Sequence, residues 1–578
     1  MIDTDKKGCR ELLMQRMILA IVTSITLQLF LICCLVLFTN LSMDYARWLE
    51  ETWHIITSPR MWAYFIVLAM VTILQGFFCS KRYLHPLPYY KSRFAKLRTT
   101  FTFQSLLLRV LYIVIGGILV WLHLSLKRGS YNSSTADYSI EYGSHLVEEH
   151  YFLLFSGLWS GLYFFIKTGD SSREYFQFPI IAQYKFFRIR QRIISMFPTL
   201  IISSMWSTLY YMTIYYFIRA YCREAFLSVV SIHMESNPLN TISRLLNLSL
   251  ISQLWLHQFI FIFIITNTYI LFEIYLTEWT QFKFGLSGAY NVDSSEMTLI
   301  DGLSMDKIPI MQHLAYLDLV TLAQKEKMRR GTLFTLSQPG GHPYNWNCVV
   351  QKCTNLLNKF SSDLNAISIK SQDKLFCHSA SMLTTKGPPA RQGKYIYHMR
   401  KLVPDVIPAT TLPVEADTMA PYSGPFIQKY IKQKKEAFIA YLLSKPLINY
   451  IFGEQDDNKI RYVLHNGQLM IWATEAISSL TVFSLIEDSY GIVQKDVPTI
   501  INALLSVKQA LDKLQKSAVL ARKMLMDDKL IKEIFTSLRS AIKRSLYRIV
   551  TNFEPYINDL SLEPSTIEQL QNFLNYKE

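Results

Sequence analysis

Two places in the chain combine residue types that could carry chemistry. The first is His257-Gln258, set in the apolar run 250–272. An imidazole inside a hydrocarbon-length stretch is the kind of group that serves proton relay or group transfer within a membrane. Such chemistry needs a partner acid or nucleophile. No Asp or Glu lies mid-run, and Glu273 stands only at its edge. Interhelical hydrogen bonding is therefore the expected role of His257. The second place is Gly340-Gly341-His342, within LSQPGGHPYNW at 336–346. Gly-Gly-His suits an oxyanion loop, but no Gly-x-Ser-x-Gly nucleophile accompanies it. The Gly-x-x-x-x-Gly-Lys pattern of a phosphate loop is missing too. Pro339, Gly340, Gly341 and Pro343 instead impose a rigid turn ahead of a helix expected over 346–360.

The eight cysteines form no framework. Cys348, Cys353 and Cys377 have no Cys-x-x-Cys spacing, so zinc is not expected and reduced thiols are the default. No catalytic constellation, cofactor motif or metal-ligand set is expected. Two sequons occur, at Asn132 and Asn247, as weak glycosylation candidates close to apolar runs.

The elements that must position these residues follow from hydropathy. Half of the 578 residues are apolar, and before about residue 275 they gather in long blocks. Six blocks can cover a hydrocarbon core as helix: 17–39, 61–79, 105–126, 151–166, 194–217 and 250–272. The fourth is the shortest. Within it, Gly157 and Gly161 form a small-xxx-small step that suits close helix packing, in the bundle or between subunits. The first block is too long for a cleaved signal, so it is expected to remain as an anchor.

Loop charge sets an orientation. The N-terminus and the loops after the second and fourth blocks carry sixteen Lys and Arg, and the alternate loops carry seven. Basic loops stay cytosolic, so both termini and the whole second half are expected on the cytosolic side. The net charge of +15 is spread over both halves, which fits basic loops facing anionic headgroups rather than a nucleic-acid arm.

The second half reads as all-α. Residues 277–360 form a juxtamembrane helical region, with a helix expected over 309–329. Residues 361–425 lose apolar periodicity and hold many prolines, the pattern of a flexible linker. Residues 426–578 return to helices at about 469–486, 498–520, 529–553 and 565–575. In the helix 529–553, Lys532, Arg539, Lys543, Arg544 and Arg548 supply a basic side. That side can meet a membrane or a partner, although packing into a helical bundle is the preferred expectation. The fold class is thus a six-span helical bundle followed by an α-helical domain.

Several strings resemble the nuclear-division-cycle family of transmembrane nucleoporins, the pore-membrane anchors. The most specific is LSQPGGHPYNW, which holds Ser337, Gln338, Pro339, Gly340, Gly341, His342, Pro343 and Trp346. IPIMQHLAYLDL (308–319), FPIIAQYKFFRIR (178–190), IWATEAISSL with GIVQKDVPTIINALLSVKQALDK (471–513), and SLRSAIKRSLYRIVTNF (537–553) are similar as well. The resemblance implies a structural, non-enzymatic protein at the nuclear envelope, in the pore membrane. It implies that the spans anchor the pore scaffold and that the C-terminal domain recruits inner-ring nucleoporins, with an Aladin-type propeller adaptor as a further partner. Other pore-membrane proteins, the lipid bilayer and self-association complete the expected contacts, and direct nucleic-acid binding is not among them. Two other classes of function make different demands on the sequence. An endoplasmic-reticulum transferase would need a partner for His257 or His342, and a channel or transporter would need broken spans or internal repeats.

Overall fold

The computed structural model describes residues 7–39, 44–84, 89–131, 142–170, 178, 184–229, 246–284, 297–336, 341–382, 434–435, 438, 441–442, 445–454, 456–516 and 529–575. Among these residues the chain is helical, with one isolated bridge between Lys283 and Thr298. The membrane half comprises α1 (Lys7–Thr39), α2 (Tyr45–Thr57), α3 (Pro59–Leu84), α4 (Arg93–Thr100), α5 (Phe103–Tyr131), α6 (Tyr142–Asp170), α7 (Lys185–Val229) and α8 (Leu248–Leu276). The second half comprises α9 (Leu299–Leu303), α10 (Pro309–Lys325), α11 (Lys327–Gly331), α12 (Tyr344–Met382), α13 (Pro446–Phe452), α14 (Asp456–His465), α15 (Gly467–Glu487), α16 (Val497–Gln515), α17 (Lys529–Phe553) and α18 (Pro564–Leu574).

Six described stretches are long and apolar enough to cross a bilayer: Gly8–Cys34, Met61–Cys79, Ser105–Leu124, Lys185–Ile218, Leu248–Leu276 and Asn458–Glu487. Five of them coincide with expected spans. The expected fourth span, 151–166, falls in a shorter apolar stretch, Tyr151–Lys167, inside the 29-residue helix α6. The sixth long stretch falls in the second half, where a soluble helix was expected. An evenly apolar helix is either a membrane span or the centre of a core. Here α15 lies between α10, α12 and α17, and Leu469, Ala473, Ile477 and Leu480 join one core with Leu314, Leu504 and Ile542. Its length and hydropathy belong to the axis of a protein core, and the spans are α1, α3, α5, α6, α7 and α8.

α8 is the hub of the membrane bundle, flanked by α1, α3, α5, α6 and α7. Polar side chains tie it to its neighbours, because a polar group in hydrocarbon must find a protein partner. Ser24, Gln28 and Thr268 form one hydrogen-bonded cluster, closed by Thr72 donating to Gln28 Oε1 at 2.7 Å. Gln75 Nε2 donates to the Ile265 carbonyl at 3.1 Å. Deeper toward the N-terminus of α8, Gln258 Nε2 donates to the Ser156 carbonyl at 2.9 Å, and Ser207 donates to Gln258 Oε1 at 2.7 Å.

The two stretches flanking the expected linker do not fold apart. α10 packs on α15, and α12 packs along α16, so one hydrophobic core takes residues from both. The helix expected to stop at 360 runs on to Met382, twenty-odd residues into the segment read as linker. Its first part buries Trp346, Val349, Cys353, Leu357, Phe360 and Leu364, a helical repeat that continues past the expected end. The helix expected at 498–520 ends at Gln515.

Candidate functional site: the junction between membrane bundle and helical half

The residues that hold the two halves together lie at one end of the bundle. There α8 ends at Leu276, with Thr277 and Glu278 N–H groups bonding back to the Glu273 and Tyr275 carbonyls, and cations from two other spans converge on it. Arg16 of α1 donates to the Leu276 carbonyl at 3.2 Å and also bonds Thr280. From α7, Arg188 donates to Thr277 Oγ1 at 3.0 Å, Arg192 meets Glu273 at 3.4 Å and Lys185 meets Glu278 at 2.8 Å. Cations at a helix C-terminus complement its dipole, so this end is stapled in a fixed direction. Cys9 and Leu13, on the first turns of α1, are buried in the same core as Leu276, Phe282 and the second half's helices.

The chain leaving α8 is pinned next. Asp318 of α10 is fully buried yet fully satisfied: it accepts from Phe282 N at 3.0 Å and from both terminal nitrogens of Arg329, at 3.1 and 2.8 Å. Arg329 also donates to the Phe282 carbonyl at 2.7 Å. A planar guanidinium matches a carboxylate this way, which makes the contact strong and directional. The next residue, Arg330, pairs through Nε and Nη2 with the two oxygens of Glu487, each at 2.7 Å, and lies 3.9 Å above the Phe483 ring. That pair locks α11 to the end of α15.

Two segments between spans also grip the second half. Phe178 stacks flat on His313 of α10, with centroids 5.4 Å apart, and meets Trp472 of α15 edge-on at 5.2 Å. His313 is buried, and burial pushes its pKa down, against the pull of its 2.7 Å hydrogen bond to the Pro309 carbonyl. In the segment before α4, Tyr89 contacts Tyr462 with centroids 5.2 Å apart, and its hydroxyl donates to Glu454 at 3.3 Å. Both segments lie on the loops that carry the basic excess.

The residues singled out in the sequence fall in four places. Of the turn motif, Ser337, Gln338, Pro339 and Gly340 lie outside the described residues. Gly341, His342 and Pro343 lead into α12, and Trp346 is the anchor. The indole of Trp346 is fully buried against Phe334, and its Nε1 donates to Asp496 at 2.8 Å, the residue preceding α16. The turn thus ends on a tie between α12 and α16. Gly157 and Gly161 face α5: a Cβ on Gly161 would stand 2.1 Å from the Tyr112 carbonyl oxygen, and one on Gly157 would stand 2.6 Å from that of Gly116. Their surface is used inside the bundle, which leaves it unavailable for a second subunit. His257 lies edge-on to His123 of α5, with ring centroids 4.7 Å apart.

The basic side of α17 is partly paired with its neighbours in the helical half. Arg539 pairs with Asp512 at 3.0 Å, Arg544 pairs with Glu475 at 2.9 Å and Arg548 donates to Ser479 at 2.8 Å. Lys532 is exposed and Lys543 half-buried. α17 therefore uses Arg539, Arg544 and Arg548 to reach α15 and α16, while Lys532, Arg544 and Arg548 remain exposed on its surface. Asn247 caps α8, its side chain accepting from Ser249 N at 3.2 Å, and Asn132 lies outside the described residues.

Sequence reasoning missed Asp318, Arg329, Arg330 and Glu487. Arg330 and Glu487 are 157 residues apart, and no helical or strand period connects them. His313 and Asp318 do sit in the 308–319 string. A charged residue amid an otherwise apolar helical face was the available signal. The thiol of Cys353, buried in the core, is pushed up to about 12 and is held as the neutral thiol. Among the described residues no group of three or more His, Cys, Asp or Glu could hold a metal ion.

Comparison with known proteins agrees over the full length of this arrangement. The chain is 26% identical to Nucleoporin NDC1 of Homo sapiens, with 97% of each chain covered. It is 24% identical to Nucleoporin Ndc1 of Drosophila melanogaster, with 99% of each covered. Nucleoporin ndc-1 of Caenorhabditis elegans matches at 27% identity over 44% of this chain. The model of the family described as Nucleoporin protein Ndc1-Nup matches residues 11–571, spans and helical half together, and the chain belongs to that family of nucleoporins.

Proposed function

We propose that this nuclear pore membrane protein is a scaffold anchor: its six spans hold the helical half against the pore membrane, where that half recruits inner-ring nucleoporins during pore assembly. The observation that carries the reading is the single core running from Cys9 and Leu13 in the first span to Leu570 and Phe573 near the C-terminus. A helical half built directly onto the span ends has a fixed orientation to the bilayer, as an anchor requires. As a member of a nucleoporin family it is a structural protein and not an enzyme.

In this reading both termini and the helical half face the cytosolic, pore-lining side. Support comes from the loops. The segments that grip the helical half, through Tyr89 and Phe178, belong to the loops rich in Lys and Arg, which are retained on the cytosolic side. The partners would include other pore-membrane proteins and an Aladin-type propeller adaptor. Their contacts would fall on the outer faces of α12, α16 and α17, since the opposite loops are short.

The test uses the full-length tagged chain. Imaging should give a punctate nuclear rim, and purification after mild cross-linking should recover inner-ring nucleoporins. A uniform reticular pattern, with none of these proteins recovered, would reject the anchor reading.

A further inference from the structure

Two of the helices bury no residue at all: α4 and α13. α13 is nonetheless rich in large apolar side chains, and α4 adds Phe94 and Leu97, a surface that in water would have no reason to stand uncovered. They lean on one another. The rings of Phe94 and Phe452 are 4.7 Å apart, and the Arg93 guanidinium lies 3.6 Å over Tyr450. One helix comes from the membrane half and the other from the helical half. What remains outward is apolar: Leu97 is 55% exposed, Phe101 60%, Leu447 77% and Ile451 42%.

Position says what covers this surface. Only Phe101 and Thr102 separate α4 from α5, the third span, so the patch begins where the hydrocarbon ends. Phe103, the first residue of α5, is itself exposed and extends the apolar surface toward the span that follows. Charge points the same way. Lys91, Lys96, Arg98 and Lys445 stand exposed around the patch, and neither 89–103 nor 445–453 contains an acidic residue, Glu454 at its edge being tied to Tyr89. Apolar side chains ringed by cations at a span end fit the headgroup layer of an anionic leaflet.

We propose that α4 and α13 together form an interfacial foot, which seats its apolar side chains among anionic phospholipid headgroups and tethers the helical half to the bilayer independently of the spans. This goes beyond the scaffold reading and does not depend on it, because the partner is lipid alone.

The full-length chain can be reconstituted in vesicles containing a phospholipid with a photoactivatable diazirine near its headgroup. One set would hold phosphatidylcholine alone and the other phosphatidylcholine with phosphatidylserine. Mass spectrometry then finds the lipid adducts. The expected result is adducts on peptides covering 93–103 and 446–452, rising several-fold with phosphatidylserine. Leu447→Asp with Ile451→Asp should abolish those on 446–452 while span labelling persists. Because α13 buries nothing, this variant keeps the fold. Labelled spans with no adduct on 446–452 in the native chain would overturn the proposal. Equal yields with and without phosphatidylserine would overturn it too, since the cations would then contribute nothing.

Discussion

Arg330 and Glu487 show how much a single contact at the junction carries. Both side chains are largely buried, at 5% and 12% exposure, and the pair is doubly hydrogen-bonded. Removing one partner of such a pair strands the other in a poor solvent. Arg330→Met is expected to destabilise the helical half by roughly 3–5 kcal/mol, and adding Glu487→Leu should recover much of that. Thermal unfolding of the detergent-solubilised chain checks both; a double variant as unstable as the single one would refute the pairing. His313 adds a pH dependence. Burial holds its pKa below the usual value of about 6.5, so below that pH the unfolded chain takes up the proton more readily than the folded one. The stabilisation is complete above that value and is lost as pH falls through it. The facing titratable neighbour is His465, with Phe178 and Trp472 as ring contacts. Substituting His313→Phe should flatten the acid limb of a stability–pH curve. An unchanged slope would show that His313 is not the group responsible.

At the scale of elements, the contact of α5 with α6 depends on bare backbone. Gly161→Ile would drive a side chain into the Tyr112 carbonyl and push the two spans apart. The expected outcome is a loss of folded yield in detergent, while Gly331→Ala, with nothing within 4 Å, leaves yield unchanged. Equal yields from both variants would contradict the close approach. Helix identity was legible in the sequence, since hydrophobic runs and the 3.6-residue period report local backbone state. The C-terminal end of α17 was legible to the residue, at Phe553. The end of α12 was not: prolines and polar residues further along suggested a break at 360, but buried Leu364 and Ile367 carry the helix on. The basic side of α17 was visible too. Its pairing with α15 and α16 was not, because Asp512 and Glu475 are brought to it only by packing.

For the whole molecule, the question is what couples a bundle dissolved in lipid to a core dissolved in water. Phe178 is the contact to test, since it enters the core from a loop between spans. Phe178→Ala should loosen that seat by roughly 1–3 kcal/mol, the burial worth of the ring. Hydrogen exchange would then rise in 309–325 and 467–487 while the span peptides stay protected. Uniform protection would mean that the loop is a bystander. The sequence by itself determined where the long apolar blocks fall, the helical class, the absence of a partner acid beside His257 within its span and, through particular strings, the family. These are properties of composition and short-range period, which need no neighbours to be expressed. The tertiary structure decided the rest: that α15, apolar enough to span, is the axis of a soluble core; that stretches on either side of the expected linker share that core; and that the junction closes through Asp318, Arg329, Arg330 and Glu487. Each depends on residues far apart in the chain meeting in space, and a one-dimensional pattern holds no record of which distant partner will satisfy a buried charge.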